Sequence, residues 1–155
     1  KNPFRSSLRV KLPHKIIDTM QLRQSFVGKI INDRVSYLSS KKNNLYIYTN
    51  TSSLGRYIIS RDTLEPEIKP INFKNNSNIK GKRSLRLRLK DELSGIKKYS
   101  SYINGIWALF EYEPKSNLIF HNLSDGIINN GENELIIKYE DGVGNKGVYQ
   151  TKVYY

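Results

Sequence analysis

Residues 96–112, IKKYSSYINGIWALFEY, hold an Asn-Gly pair between two runs in which aromatic and apolar side chains alternate with polar ones. The pair, Asn104 and Gly105, favours a two-residue type I′ turn, because both central positions of that turn take positive φ angles. A period of two is typical of β-strands, whose successive side chains point to opposite faces. The stretch therefore predicts a β-hairpin, and it includes Trp107, the single tryptophan of the sequence.

A two-residue turn fixes which side chains oppose each other across the hairpin. Tyr102 then lies opposite Trp107, and Lys98 lies opposite Glu111. One face carries the side chains that we expect in the core: Tyr99, Ile103, Ala108, Phe110 and Tyr112. The other face carries the expected outer side chains: Tyr102, Trp107 and Leu109. Three interpretations of the outer aromatic pair stay open: packing under a loop or against the N-terminal part of the chain, a binding surface, or a bulge or longer turn that reverses the two faces.

The rest of the C-terminal half repeats the alternating pattern. In SLRLRLK, residues 84–90, leucines alternate with basic residues, and ENELIIKYE (132–140) and GVYQTKVYY (147–155) show the same period. Breaks rich in Gly, Asn and Asp separate these runs and indicate turns. The predicted strands lie near 67–73, 84–90, 96–103, 106–112, 117–121, 132–139 and 147–154. Short strands joined by turns at this spacing predict an antiparallel β-sandwich of immunoglobulin or fibronectin type.

Upstream of residue 62 the same pattern predicts about five more strands, in SSLRVKL, SFVGKII, RVSYL, NLYIYT and GRYIIS. Only residues 14–26 allow a turn or two of helix. Pro66 and Pro70 favour a linker near residues 62–66. The predicted fold class is all-β, with two β-sandwich-like modules. The predicted organisation is a small or incomplete module at 1–61, a linker at 62–66 and an immunoglobulin-like β-sandwich at 67–155.

The chain is strongly basic, with 26 Lys and Arg residues against 14 Asp and Glu residues and a net charge of +12. Such a charge favours phosphates, anionic lipids and acidic glycans as partners. The basic residues are spread along the sequence, and it has no aromatic-plus-basic RNA-recognition strand, which argues against nucleic acid. The alternative is a solvated lysine-rich surface. No apolar run approaches the roughly 18–20 residues of a membrane span, and the absence of cysteine excludes disulfides and cysteine metal sites.

Residues 94–114 resemble a segment of the immunoglobulin-like β-sandwich domains that follow the catalytic domain of lysostaphin-like zinc peptidoglycan endopeptidases in Gram-negative bacteria. The matching positions are Ser94, Gly95, Ile96, Tyr99, Tyr102, Ile103, Gly105, Trp107, Glu111 and Tyr112. Residues 55–73 are similar to that family's passage into its last sandwich, and residues 139–149 to its closing D-x-x-G-N hairpin. The resemblance implies a β-sandwich region of the cell envelope, in the periplasm or at the outer surface, beside neighbouring domains of a parent chain.

The zinc site of that family needs H-x-x-x-D followed by H-x-H, which supply three protein ligands to an open tetrahedral site. His14 and Asp18 spell the first motif, but Ile16 stands where the family carries glycine. His121 is the second of the two histidines in the sequence, so no H-x-H follows. Residues 14–18 are therefore interpreted as a chance match. We expect no catalytic site in this chain, although the resemblance would make the parent protein a zinc metallopeptidase.

Acidic residues lie near the predicted linker and in two turns of the second module. In an immunoglobulin-like sandwich, the start of the first strand and the loops after the second and sixth strands lie at one end. This topology would bring together five carboxylates: Asp62, Glu65, Asp91, Glu92 and Asp141. Several oxygen donors suit Ca²⁺, so a structural calcium ion is the one candidate cofactor. The alternative is that these residues shape turns and match nearby lysines.

These observations favour a non-catalytic accessory region of a cell-envelope protein, which positions a neighbouring domain. The first alternative is a glycan-binding or adhesin module, in which Tyr102, Trp107 and Leu109 form a stacking surface for peptidoglycan or another glycan. The second alternative is a polyanion binder that acts through charge alone. Salt separates the two alternatives, because charge-driven binding weakens steeply as the salt concentration rises.

Overall fold

The computed structural model describes residues 7–155, which fold almost entirely into β-strands. These residues form two compact units. The N-terminal unit comprises the described residues up to Leu64 together with the loop Gly142–Asn145, and the C-terminal unit comprises Glu65–Asp141 and Lys146–Tyr155. The predicted all-β class is confirmed. No helix within residues 7–155 has the length and apolar character that crossing a membrane requires.

The described part of the N-terminal unit contains six strands and one short helix. In chain order they are β1 (Leu8–Pro13), α1 (Thr19–Gln24), β2 (Ser25–Ile31), β3 (Arg34–Leu38), β4 (Lys41–Lys42), β5 (Tyr46–Thr51) and β6 (Arg56–Arg61). They form two antiparallel three-stranded sheets, in the orders β1-β5-β4 and β3-β2-β6. Phe26, Val27 and Ile47 are fully buried, and the ring of Phe26 meets that of Tyr37 edge-on.

The C-terminal unit contains the remaining strands. They are β7 (Glu67–Pro70), β8 (Ser77–Asn78), β9 (Ser84–Lys90), β10 (Ile96–Ile103), β11 (Ile106–Trp107), β12 (Glu111–Glu113), β13 (Leu118–Asn122), β14 (Glu132–Asp141) and β15 (Lys146–Tyr154). One sheet has the order β11-β10-β14-β15-β8, and the other has the order β12-β13-β9-β7. All pairings are antiparallel except that of β15 with β8. Two such sheets are the predicted sandwich.

The core of the C-terminal unit is built from both sheets. Leu85, Leu87 and Leu89 of β9 are fully buried, as the alternation of SLRLRLK predicts, and Leu135 and Ile137 of β14 join them. Burying an apolar side chain of this size stabilises the fold by about 1.5–3 kcal/mol. The period of two along the sequence therefore decides which face of each strand enters the core.

The turn predicted at residues 104–105 is present. Asn104 and Gly105 have φ angles of 52° and 78°, as a type I′ turn requires. Tyr102 lies opposite Trp107, which is the predicted register. Of the hairpin residues expected in the core, Ile103, Ala108 and Phe110 are buried, while Tyr99 and Tyr112 are partly buried and pack against the core.

The prediction of one strand over residues 106–112 is wrong beyond Trp107. One more backbone hydrogen bond follows, in which the Ala108 amide donates to the Ser101 carbonyl at 3.0 Å. The buried Ser101 hydroxyl then donates to the Ala108 carbonyl, also at 3.0 Å. The chain leaves β10 here and crosses to the other sheet as β12.

The crossing also corrects the predicted pairing of Lys98 with Glu111. Glu111 lies opposite Phe120 of β13, while Lys98 lies opposite Glu140 of β14. The physical reason is a competing hairpin: Glu111–Glu113 pair with β13 across the turn at residues 114–117, where Asn117 takes a φ of 53°. A positive φ at asparagine is typical of such tight turns, and residues paired with β13 lie in the other sheet and cannot also pair with β10.

Candidate functional site

The outer face of the five-stranded sheet carries the aromatic residues that the sequence assigns to the outside. Trp107 is 59% exposed and Leu109 is 50% exposed, whereas Tyr102 is half-buried. The neighbouring Ala108 and Phe110 are buried. The predicted inner and outer faces of the hairpin are therefore confirmed, and the bulge that would reverse them is not found between Tyr102 and Trp107.

Trp107 lies on an edge strand and keeps its indole open to solvent. Among residues 7–155, no other aromatic ring contacts it. The opposite Tyr102 has one cationic neighbour, since Lys138 Nζ lies 5.7 Å from the centroid of its ring. That distance is within the range of a cation–π interaction. Tyr102 and Trp107 therefore lie opposite each other on neighbouring strands, as predicted, but their rings do not stack.

The strand order extends the outer pair into a row across the sheet. Tyr102 lies opposite Ile136 of β14, and Ile136 lies opposite Gln150 of β15. Because neighbouring strands lie about 4.8 Å apart, the row from Trp107 to Gln150 spans about 14 Å. We call Trp107, Tyr102, Ile136 and Gln150 the aromatic row.

Lysines surround a buried carboxylate on one side of the aromatic row. Lys97, Lys98 and Lys146 place their Nζ atoms 2.9, 3.3 and 3.8 Å from the Glu140 carboxylate. The hydrogen bond from Lys97 is the main reason that the pKa of Glu140 lies below its usual range. Three ammonium groups thus lie around the Glu140 carboxylate. With Lys138 these residues form the basic end of the face.

A cavity of about 340 Å³ opens at the basic end. Its lining includes Lys98, Lys138, Lys146, Glu140 and Val148, so three lysines and one carboxylate border it. Pockets for small ligands have volumes of about 300–1,000 Å³. The cavity can therefore take a group of modest size, and its ammonium groups favour an anionic one.

The opposite side of the aromatic row is acidic. Glu132 accepts hydrogen bonds from Lys152 at 2.7 Å and from the Tyr154 hydroxyl at 2.8 Å. These bonds lower the pKa of Glu132 and raise those of Lys152 and Tyr154. Glu134 accepts a hydrogen bond from the Gln150 amide at 2.6 Å. This side, the acidic end, carries two carboxylates, Glu132 and Glu134, and one ammonium group, that of Lys152.

Two of the carboxylates predicted to bind calcium lie together in the C-terminal unit. The carboxylate oxygens of Asp91 and Asp141 come within 4.8 Å of each other. Asp91 also shapes its turn, since Oδ1 accepts hydrogen bonds from the amides of Leu93 at 3.0 Å and Gly95 at 2.6 Å. Asp141 is buried at the end of β14, opposite Ile96. Turn formation thus accounts for Asp91, and the calcium ion stays a prediction.

The other three residues of that predicted set each have contacts within their own unit. Asp62 belongs to the N-terminal unit, where Oδ1 accepts a hydrogen bond from the Leu64 amide at 3.3 Å. Glu92 forms an ion pair with Lys90. The charge of Glu65 adds to the effect of burial, which is the larger cause, in raising the pKa of Tyr139.

The residues of the H-x-x-x-D match have structural roles in the N-terminal unit. His14 Nε2 lies 2.8 Å from the Asn43 carbonyl oxygen, and Nδ1 accepts a hydrogen bond from the Ile16 amide at 3.1 Å. Asp18 is the N-cap of α1, and its carboxylate accepts a hydrogen bond from the Gln21 amide at 2.7 Å. Both nitrogens of the His14 ring are therefore engaged.

The second histidine lies inside the C-terminal unit. His121 has no exposed side-chain surface, and its ring stacks on Phe110 with centroids 5.2 Å apart. Nδ1 lies 2.9 Å from the Leu109 carbonyl oxygen and donates to it. Nε2 has no hydrogen-bond partner among the described residues. The surrounding core separates this nitrogen from solvent.

The part of the outer face that β14 and β15 contribute is not among the residues predicted to form a site. Lys138 and Ile136 stand at alternate positions of ENELIIKYE, so their common face is readable from the period of two. Their position beside Tyr102 is not readable, because it depends on β14 lying next to β10, far away in the sequence. Asn145 was likewise predicted only as a turn former, although it is buried and makes several hydrogen bonds.

Comparison with known proteins gives similarity in structure alone. No family model and no curated protein matches the chain. A similar solved structure is an endo-β-1,4-mannanase from Thermotoga petrophila, with a TM-score of 0.49 and 18% identity over 60% of this chain and 20% of the mannanase. Another is that of the fibronectin(III)-like modules of Clostridium thermocellum CbhA, with a TM-score of 0.43 and 11% identity over 94% of this chain and 84% of that one. At these values neither similarity indicates what this chain binds.

Proposed function

We propose that this chain is a non-catalytic accessory β-sandwich region of a cell-envelope protein, which positions or tethers a neighbouring domain of its parent chain. The observation that carries the proposal is the state of the two histidines. A lysostaphin-like zinc site needs three protein ligands around an open position. His14 uses both ring nitrogens in hydrogen bonds, and His121 is enclosed in the core. The sequence has no third histidine.

The proposal is tested by incubating the purified chain with insoluble peptidoglycan and millimolar zinc. We expect no release of soluble fragments above a heat-denatured control. If fragments are released and His14→Ala stops their release, the chain is an enzyme and the proposal is overturned. The variant matters because a contaminating hydrolase would not respond to it.

A second function, glycan binding, is favoured by a different observation. Trp107 and Leu109 are each at least half exposed although large apolar side chains usually lie inside a domain. An exposed aromatic face beside other apolar side chains is a recognised sign of an interaction surface. Tyr102, Trp107 and Leu109 would then hold sugar rings by stacking, and the accessory region would tether its parent to a glycan such as peptidoglycan.

Co-sedimentation with insoluble peptidoglycan separates a tether of this kind from a simple spacer. A glycan binder is expected to sediment with the polymer at physiological salt, and Trp107→Ala should release it. Ile71→Ala is the matched control, since Ile71 is also exposed but lies outside the outer face. If both variants sediment to the same extent as the wild type, the aromatic surface does not bind peptidoglycan.

A further inference from the structure

We infer that the outer face of the five-stranded sheet binds an acidic glycan, a polymer whose sugar rings carry carboxylate, phosphate or sulfate groups. The rings would lie on Trp107 and Tyr102, and an anionic substituent would enter the cavity beside Lys138. The inference rests on the glycan binding proposed above and adds the charge class of the ligand and the residues that select it.

The first support is the order of charged and apolar side chains along β14. Its outward side chains are Glu134, Ile136, Lys138 and Glu140, which lie beside the acidic end, the aromatic row and the basic end in turn. Two residues along a strand cover about 6.8 Å. The aromatic row is therefore bordered at close range by positive charge on one side and by negative charge on the other. An anionic group on a sugar held at the row has only one favourable side.

The second support is the state of the lysines. Lys138 makes no ion pair with the described residues, and its ammonium group lies over the Tyr102 ring. Lys97, Lys98 and Lys146 each form an ion pair with Glu140 on the same side of the aromatic row. Lys138 is thus a cation at the border between the aromatic row and the cavity. A charge-assisted hydrogen bond from such a cation is stronger than one between neutral groups.

The third support is the shape of the surface. The aromatic row is about 14 Å long, and the cavity of about 340 Å³ lies next to it on the same face. A sugar polymer offers both flat apolar ring faces and anionic substituents. A polyanion without rings, such as polyphosphate, leaves Trp107 and Ile136 unused, and a neutral glycan leaves the lysines unused.

The test titrates the whole chain with three polymers at physiological salt: polygalacturonate, neutral dextran and polyphosphate. Trp107 is the only tryptophan, so its fluorescence reports contact at the proposed surface directly. We expect polygalacturonate to change the fluorescence and to bind about tenfold more tightly than either other polymer. Calorimetric titration measures the affinity of each variant below, because the variants at Trp107 contain no tryptophan, and circular dichroism verifies that each is folded.

Three variants and two matched controls assign the binding to named side chains. Trp107→Ala and Lys138→Gln should each weaken polygalacturonate binding by about tenfold, as central interface residues do, while Trp107→Tyr should keep most of the affinity. The controls are Lys115→Gln, which removes the same charge from the turn between β12 and β13, and Ile71→Ala. Both controls should bind as the wild type does.

The other outcomes overturn the inference in distinguishable ways. If dextran binds as tightly as polygalacturonate and only Trp107→Ala weakens both, glycan binding stands and the acidic class is wrong. If neither sugar polymer binds, glycan binding and the inference fail together. If polyphosphate binds equally tightly and Lys115→Gln weakens binding as much as Lys138→Gln, the chain is a polyanion binder without a defined site.

Discussion

At the scale of single residues, the period of two separates side chains that stand close together in the sequence. Trp107 and Phe110 lie three positions apart, yet the first is 59% exposed and the second is 2% exposed. Phe110 also packs on His121 inside the core. The aromatic residue that the surface displays and the one that stabilises the sandwich are therefore different residues, and their removal should have different consequences.

Truncating Trp107 and truncating Phe110 should lower the free energy of unfolding by clearly different amounts. Trp107→Ala removes an exposed side chain without ring contacts, so we expect a loss of less than about 1 kcal/mol. Phe110→Ala removes a buried ring and leaves a cavity, which typically costs about 3–5 kcal/mol. Chemical denaturation followed by far-UV circular dichroism measures both losses. Equal losses would place Trp107 in the core and leave the outer face without its aromatic residue.

Asn145 shows what a buried amide contributes to the N-terminal unit. Its Oδ1 accepts a hydrogen bond from the Gln24 amide at 2.8 Å, and its Nδ2 donates to the carbonyls of Asp62 and Leu64 at 3.0 Å. Asn145→Ala leaves these groups without their partner, and we expect a loss of about 2–3 kcal/mol in the free energy of unfolding. Asn44→Ala, at an exposed position of the same unit, should stay within about 0.5 kcal/mol of the wild type. A wild-type stability of Asn145→Ala would contradict this role.

At the scale of strands, elements in which the alternation continues over many residues are predictable from the sequence. Elements that depend on distant partners are not. The alternation over 84–90 and 132–140 is long enough to identify β9 and β14 and their inner faces. β4 and β8 have only two residues each, which is too few for an alternating pattern to be recognised. The division of 106–112 between two sheets depends on where β13 lies, which no local pattern reveals. For the same reason Trp107 is predictable as an outer residue, while its distance from Lys138 across the sheet is not.

Gly147 tests how tightly the hairpin of β14 and β15 is packed. It lies opposite Tyr139, and a Cβ atom at Gly147 would overlap the ring of that buried tyrosine. Gly147→Ala should therefore destabilise the fold by about 1–3 kcal/mol through overpacking. The loss should be smaller when Tyr139 is already alanine, because the overlapping ring is gone. Equal losses in the two backgrounds, measured by denaturation, would show that the ring is not the cause.

At the scale of the whole molecule, charge makes the fold sensitive to acid. The net charge is already +12, and protonating the 14 carboxylates would raise it and increase the repulsion within each compact unit. Glu140 forms ion pairs with three lysines, and Glu132 pairs with Lys152. The excess of Lys and Arg over Asp and Glu therefore makes the surface basic and also makes the fold sensitive to acid.

The sign of the effect follows from the lowered pKa of Glu140. Its ordinary value is 4.5, and in the folded state the hydrogen bond from Lys97 moves it down. A group with a lower pKa when folded stabilises the fold above its unfolded pKa, and this contribution disappears as the pH falls through the folded value. We therefore expect the melting temperature of the wild type to fall steeply below a pH of about 4.5. Glu140→Gln should be less stable than the wild type at neutral pH and should show a shallower fall, whereas Glu113→Gln, an exposed carboxylate without a lysine partner among residues 7–155, should follow the wild-type curve. Parallel curves for the wild type and Glu140→Gln would mean that the lysines around Glu140 contribute nothing to the acid sensitivity.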